Sequence, residues 1–433
     1  MKIARSVSLA TATALVVANI IGTGVFTSLG FQIKDIPSGF SLLMLWVVGG
    51  VAALCGALAY GELAAALPRS GGEYHFLSAI FHPAVGFVAG WTSATVGFAA
   101  PVALAAIAFE TYLRAVFPGM PALPISLAIV WIISLVHLKD VESGSRFQNF
   151  FTLVKVVLIA GVVVAGFMVR HAQPVSFLPG KPDAGLVFGA PFAISLVYVM
   201  YSYSGWNAST YIAGEVQDPG RTLPLSLLLG TLGVTVLYVA LNAVFIYTTP
   251  ARELSGQLEV GLIAGKHIFG VLGGRIMGGL ICIGLVSSIS SMTWIGPRVS
   301  MTMGEDLVLL HFLSLKTRKG IPAVAVLFQG AVVSVLLGTA SFQKINTFIQ
   351  FSLTLCSFLT VLGVIVLRFT QPALARPYKT WGYPLTPLIF LGIAFFMMLQ
   401  IVRFKPVESF AGLGTMLLGL LVYFASPKRE ERA

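Results

Sequence analysis

Ile20-Ile21-Gly22-Thr23-Gly24 and Tyr201-Ser202-Tyr203-Ser204-Gly205-Trp206 interrupt two otherwise apolar segments with glycine and small polar residues. Backbone in hydrocarbon must satisfy its own hydrogen bonds, so an unwound stretch persists there only where protein or a polar cavity receives the freed groups. Interruptions at corresponding places in the two halves of a membrane chain are the strongest sequence pointer to a carrier's substrate site.

The surrounding sequence fits that setting. Of 433 residues, 57% are hydrophobic and only 10% charged, against about 25% charged in an average soluble domain. Apolar runs recur along the whole chain, each long enough to cross a hydrocarbon core of about 30 Å. Read against Gly, Pro and charge punctuation, they predict about twelve helices, near 8–30, 38–66, 84–115, 123–138, 147–170, 186–212, 224–248, 268–303, 322–338, 344–370, 383–402 and 406–425. The expected class is therefore an all-α, polytopic membrane protein with no soluble domain left over. Lys2 and Arg5 ahead of an apolar run imitate a signal peptide, but the run continues past Phe26 and further spans follow, so it reads as the first span.

The net charge of +11 does not indicate a nucleic-acid partner, because the basic residues are spread over short loops and form no patch. They report orientation instead. With the N-terminus inside, Lys2, Arg5, Arg69, Lys139, Arg146, Arg221, Arg298, Lys316, Arg318, Lys319, Arg368, Arg376, Lys379, Lys428, Arg429 and Arg432 fall on the cytoplasmic side. They outnumber the opposite group of Lys34, Arg114, Arg170, Lys181, Arg252, Lys266, Arg275, Lys344, Arg403 and Lys405. That bias predicts a multi-pass protein of the cell membrane with both termini cytoplasmic.

The first and sixth helices carry the breaks, and each opens a set of five spans. Two repeats of opposite topology follow, over 1–170 and 186–370, with 371–433 holding two added helices and the C-terminal tail. The symmetry rests on span count and break position, since no residue-level repeat is visible.

The chemistry of the breaks is complementary. Gly22 and Gly24 free amide donors at the N-terminal end of a half-helix, where the dipole favours an anion, and Thr23 adds a hydroxyl. The competing reading is close packing through small residues. Ser202, Ser204 and Gly205 lower helix propensity between Tyr201, Tyr203 and Trp206, leaving carbonyls suited to an ammonium. Together the two breaks match the α-carboxylate and α-amine of an amino acid, with Tyr201 and Trp206 placed to close over it. Lys155 is the charged residue expected deep in a span, about 13.5 Å from the helix entry at Arg146 by helical rise. There it either pairs with carbonyls freed at a helix end, holds a position a coupling cation would take, or carries a proton.

Glu62, Glu110, Glu215, Arg275, Arg298, Glu305 and Asp306 sit near helix ends and read as interfacial pairs or gates. His75, His82, His137, His171, His267 and His311 have no metal-ligand spacing, and Cys55, Cys282 and Cys356 lie in apolar segments. With no phosphate loop and no catalytic dyad, the sequence predicts neither an enzyme nor a cofactor.

The residues also resemble a known family. Ile20 to Phe26 together with Tyr60-Gly61-Glu62-Leu63-Ala64-Ala65-Ala66-Leu67-Pro68-Arg69-Ser70-Gly71-Gly72-Glu73-Tyr74 resemble the amino acid–polyamine–organocation superfamily. Tyr203-Ser204-Gly205-Trp206-Asn207, then Gly214-Glu215-Val216-Gln217-Asp218-Pro219-Gly220-Arg221-Thr222-Leu223-Pro224, Gly296-Pro297-Arg298 and Arg376-Pro377-Tyr378, are similar to its L-type amino acid transporter branch. The resemblance spans essentially the whole chain and implies a LeuT-type fold with sodium-independent amino acid exchange by alternating access. It would place the substrate carboxylate at Ile21 to Gly24, the amine on carbonyls near Tyr201, Ser202 and Ser204, and a proximal aromatic gate at Tyr201. Lys155 would match the lysine of the family's fifth helix. Relatives often carry Phe at the Tyr201 position, Gly at the Ser204 position and Ser at the Met292 position. The loop around Pro118 to Pro124 has no cysteine, so a disulfide-linked heavy chain is not expected, and a monomer or weak oligomer is.

The leading expectation is a sodium-independent exchanger of neutral L-amino acids. The rival is a proton-coupled symporter with Lys155 as proton carrier. A third reading is an amino-acid-sensing receptor on a carrier fold, disfavoured by the short tail from Ser426 to Ala433.

Overall fold

A computed structural model describes residues 6–139, 141–169, 172–339, 342–404 and 406–426, without the side chains of 141, 142, 342–350 and 408. Lys2, Arg5, Arg170, His171, Lys405, Lys428, Arg429 and Arg432, used above for orientation or metal spacing, lie outside the described residues, as does the Lys344 side chain.

The first apolar segment is two helices. Ser8 begins α1 (Leu9–Ile20) by accepting the Thr11 amide, and the helix stops at Ile21, whose ψ of 80° leaves the helical region. The chain resumes as α2 (Gly24–Gln32) after Thr23. Helix α3 (Gly39–Ala66) starts on Ser38, whose hydroxyl accepts the Ser41 amide, and is apolar on nearly every face. Gly71 and Gly72, at φ 113° and 52°, then turn the chain into a short helix α4 (Glu73–Ile80) that the span pattern does not predict. Only glycine holds such angles without strain.

The third span is α5 (Pro83–Thr92), a π-turn over Ser93–Gly97, and α6 (Ala99–Val116). Helices α7 (Ala122–His137) and α8 (Val141–Phe167) complete the first five spans, and a small α9 (Asp183–Val187) precedes the second break. The sixth span, expected over 186–212 with a break at Tyr201–Trp206, is formed in two pieces. Helix α10 (Ala190–Tyr203) ends at Ser204 in an extended conformation, Gly205 turns at φ 95°, and a 3-10 segment, Ala208–Glu215, follows. Two serines and a glycine in sequence withdraw the propensity that would carry the helix through.

Helix α11 (Pro219–Thr248) is followed by α12 (Ala251–Leu254) and then α13 (Val260–Asp306), which starts earlier than the expected 268 and kinks at Gly270 (φ 77°). The remaining helices are α14 (Ala323–Thr339), α15 (Phe342–Thr370), α16 (Leu385–Phe404) and α17 (Pro406–Ala425). Among the described residues, eight stretches are long and apolar enough to cross a membrane and three are shorter apolar helices. The broken α10 segment supplies the twelfth crossing. The protein is thus a nearly all-helical, multi-span membrane protein. Its outward apolar residues, such as Leu135, Val157, Val236 and Leu418, are exposed where lipid would cover them.

The broken segments lie at the centre, α1 against α8 and α11, and α2 against α10. The N-terminal strand-like residue Val7 is tied to the far end of the sixth span: its amide donates to the Glu215 carbonyl and its carbonyl accepts from the Gln217 amide.

Candidate functional site

Lys155 is buried at 1% exposure, and its Nζ donates to three acceptors: the Ile21 carbonyl at 2.5 Å, the Ser288 hydroxyl at 2.8 Å and the Ala18 carbonyl at 3.3 Å. Ser288 also donates to Ile21 O at 2.8 Å. The ammonium therefore caps the C-terminal end of α1, where unpaired carbonyls and the negative end of the helix dipole meet. Desolvating an ammonium costs several kcal/mol. Three charge-assisted hydrogen bonds, each worth about 1.5–3 kcal/mol, are large enough to offset that cost. Of the roles open from sequence, the geometry realises pairing with freed helix-end carbonyls.

The two breaks touch across a polar seam. Thr23 Oγ1 and the Tyr201 hydroxyl are 3.0 Å apart, and Ser28 Oγ and Ser202 Oγ 3.1 Å. A Cβ added at Gly24 would sit 2.3 Å from Ser202 Oγ and 2.7 Å from Ser202 Cα, so glycine is required for α2 to approach α10 this closely. At Gly22 the nearest atom would be 3.9 Å away, so that position is open. The Tyr238 hydroxyl from α11 ties the seam from behind, its single proton shared between Ile20 O at 2.7 Å and Ser202 O at 3.1 Å.

A cavity bordered by Asn19 and by the Ser204-Gly205 turn has walls that also include Glu73, Phe98, Trp206, Asn207 and Met292. Of the residues singled out from sequence, Ser204, Gly205 and Trp206 line it. Ile20, Ile21, Gly22, Thr23, Gly24, Tyr201, Ser202 and Tyr203 border the breaks without being part of its wall. Tyr201 is buried and packs with Val96, Ala100 and Leu104. Trp206 stands edge-on to Tyr60 (4.6 Å between centroids) and Phe390 (5.8 Å).

Available donors and acceptors can be read directly. Tyr201 O already accepts the Ser204 amide at 3.0 Å and the Ser204 hydroxyl at 2.7 Å, and Ser202 O is held by Tyr238. The carbonyls of Asn19, Tyr203 and Ser204 accept no hydrogen bond among the described residues, nor do the amides of Thr23 and Val25 donate one. Free acceptors thus lie at both breaks, on Asn19 and on Tyr203 and Ser204, and free donors at the first, on Thr23 and Val25.

Comparison with known proteins places this geometry in context. The family model described as Amino acid permease matches residues 7–425. The chain belongs to the amino acid permease family. It is 28% identical to the human b(0,+)-type amino acid transporter 1 over 432 residues, covering 97% of this chain and 87% of that protein. It is 27% identical to the mouse Large neutral amino acids transporter small subunit 2 over 435 residues, covering 97% and 80%. The permease is a transporter rather than an enzyme.

Sequence reading missed most of the wall, Asn19, Glu73 and Asn207 among it. Asn19 lies one residue before the quoted break, and Asn207 one residue after the other. Glu73 is brought to the cavity by the Gly71-Gly72 turn and an α4 that no span signal announces.

Proposed function

We propose that this permease exchanges neutral L-amino acids across the membrane without sodium, by alternating access about the two broken helices. The observation that carries this reading is the presence, at the two breaks, of unbonded amides at Thr23 and Val25 and unbonded carbonyls at Asn19, Tyr203 and Ser204. The first set suits a carboxylate and the second an ammonium. Lys155 occupies, with its own charge, a spot between α1, α8 and α13 where a coupling cation would otherwise satisfy Ala18 O and Ile21 O. That supports transport without sodium.

Residues 1–170 and 186–370 would act as inverted repeats, with Tyr201 and Trp206 as gates and both termini cytoplasmic. The Thr23 and Ser28 contacts to the sixth span would form one gate. The opposite gate would comprise Val7 with Glu215, the buried Arg298–Glu215 pair (3.0 Å) and the Arg69–Asp306 pair (2.7 Å). One relative is named as a small subunit. For this chain we propose no disulfide-linked heavy chain, since Cys55, Cys282 and Cys356 are all buried and the loop around Pro118 has no cysteine.

Counterflow in proteoliposomes tests the exchange reading. Labelled neutral amino acid should enter vesicles preloaded with unlabelled amino acid and not empty ones. Equal net uptake into empty vesicles would overturn it.

A further inference from the structure

Glu73 is a carboxyl at 2% exposure on the cavity wall. Its Oε1 accepts three hydrogen bonds, from the Tyr60 hydroxyl at 2.5 Å, the Ser357 hydroxyl at 2.9 Å and the Asn207 side-chain amide at 3.4 Å. Its Oε2 has no partner among the described residues. The titratable groups facing it are Tyr60 on α3, Tyr211 on the 3-10 segment and Cys356 on α15. None of these carries a positive charge, and no ion pair is made with it among the described residues. Of the other buried acids, Asp183 lies outside the spans with donors on both oxygens, Glu110 is paired with Arg114, and two more have cations. Glu62 is paired with Arg368 and Arg376, and Glu215 with Arg298.

A carboxylate closed away from water without a countercharge is costly. A neutral amino acid brings no net charge into the cavity. Lys155 does not supply one either, since the three protons of its ammonium already have three acceptors.

We propose that Glu73 is a proton-binding site of the substrate cavity: Oε2 takes a proton when a neutral amino acid is enclosed and releases it when the cavity opens to solution. The proton comes from a hydronium in the cavity, forming the Oε2–H bond and leaving water, and the three donors on Oε1 fix which oxygen receives it. Because Asn207 both touches Glu73 and follows the Ser204-Gly205 turn by two residues, a change in the turn on substrate binding is felt at the carboxyl. The inference rests on reading this cavity as the amino acid's compartment.

Two measurements separate it from the exchange reading. In weakly buffered detergent solution, adding L-leucine to the purified protein should cause proton uptake, and Glu73→Gln should bind leucine with none. In preloaded vesicles, leucine counterflow by the wild type should fall as pH rises, whereas Glu73→Gln should show a flat profile. Ser357→Ala, which keeps the carboxyl and removes one donor to the carboxylate, should move the wild-type midpoint to higher pH and serves if Glu73→Gln does not fold. Leucine binding without proton uptake, or a pH profile unchanged by both substitutions, overturns the proposal. Absent counterflow at every pH overturns exchange alone, and proton uptake on binding then decides the Glu73 site.

Discussion

Lys155 Nζ lies 2.5 Å from the carbonyl oxygen of Ile21, joining a charge on α8 to the last turn before the chain unwinds at Gly22. The contact makes the open end of α1 and the deep ammonium mutually dependent. Lys155→Ala leaves Ala18 O and Ile21 O without their cation, so the broken geometry loses its anchor. Transport should drop by more than about tenfold, a cost near 1.4 kcal/mol or above in the rate-limiting step, while the protein still elutes as a monodisperse species. Wild-type flux in that variant would remove Lys155 from the mechanism.

Gly24 and Gly22 should behave differently. Gly24→Ala drives a methyl into Ser202 backbone and side chain, so α2 and α10 must separate. Overpacking of this kind costs about 1–3 kcal/mol, and substrate binding should weaken accordingly. Gly22→Ala meets open space and should keep most of the affinity. Binding measured on both purified variants checks the order, and equal effects would deny that the seam is set by close approach at Gly24.

Thr23 and Tyr201 share a buried hydroxyl pair at 3.0 Å. A double-mutant cycle with Thr23→Val and Tyr201→Phe should give a coupling of about 0.5–1.5 kcal/mol in substrate affinity. Tyr201→Phe alone should still transport, since the ring keeps its packing against Val96, Ala100 and Leu104. Additive effects in the cycle would mean the pair is incidental to binding.

Asp183 contributes a pH-dependent term to stability outside the spans. Its carboxyl is held below the usual carboxylate range by the hydroxyl of Ser38, the Gly180 amide and the hydroxyl of Ser41. A lowered folded-state value means the stabilisation is present above the unfolded value, about 3.9, and is lost as pH falls through the folded one. Thermal unfolding of wild type and Asp183→Asn should therefore differ near neutral pH and converge in acid. Curves that stay equally separated into acid would contradict the assignment.

The architecture was largely legible because two signals are local: apolar runs of spanning length, and glycine with serine where a span should continue. Gly22, Gly24 and Gly205 announce the breaks by composition alone, and Lys155 announces itself by depth. What the sequence concealed depends on contacts between distant elements. Ser357 and Glu73 are separated by most of the chain, and only the packing of α15 against α4 joins them. The engagement of Ser202 O by Tyr238 likewise cannot be read from either segment; with Ser204 folded back onto Tyr201 O, it leaves Ser204 of the expected acceptors free and adds Asn19 and Tyr203. Helix α4 was hidden because a short helix after two glycines of positive φ carries no spanning pattern.

The central claim is that the free amides of Thr23 and Val25 and the free carbonyls of Asn19, Tyr203 and Ser204 hold the two charged ends of one amino acid. Competition against labelled L-leucine on the purified protein tests it most directly, using leucine, its amide without the carboxylate, and the matching acid without the amine. The account predicts that leucine competes and that both analogues lose about a hundredfold or more in affinity, near 2.7 kcal/mol each. An analogue lacking either charged group that competed as well as leucine would contradict it.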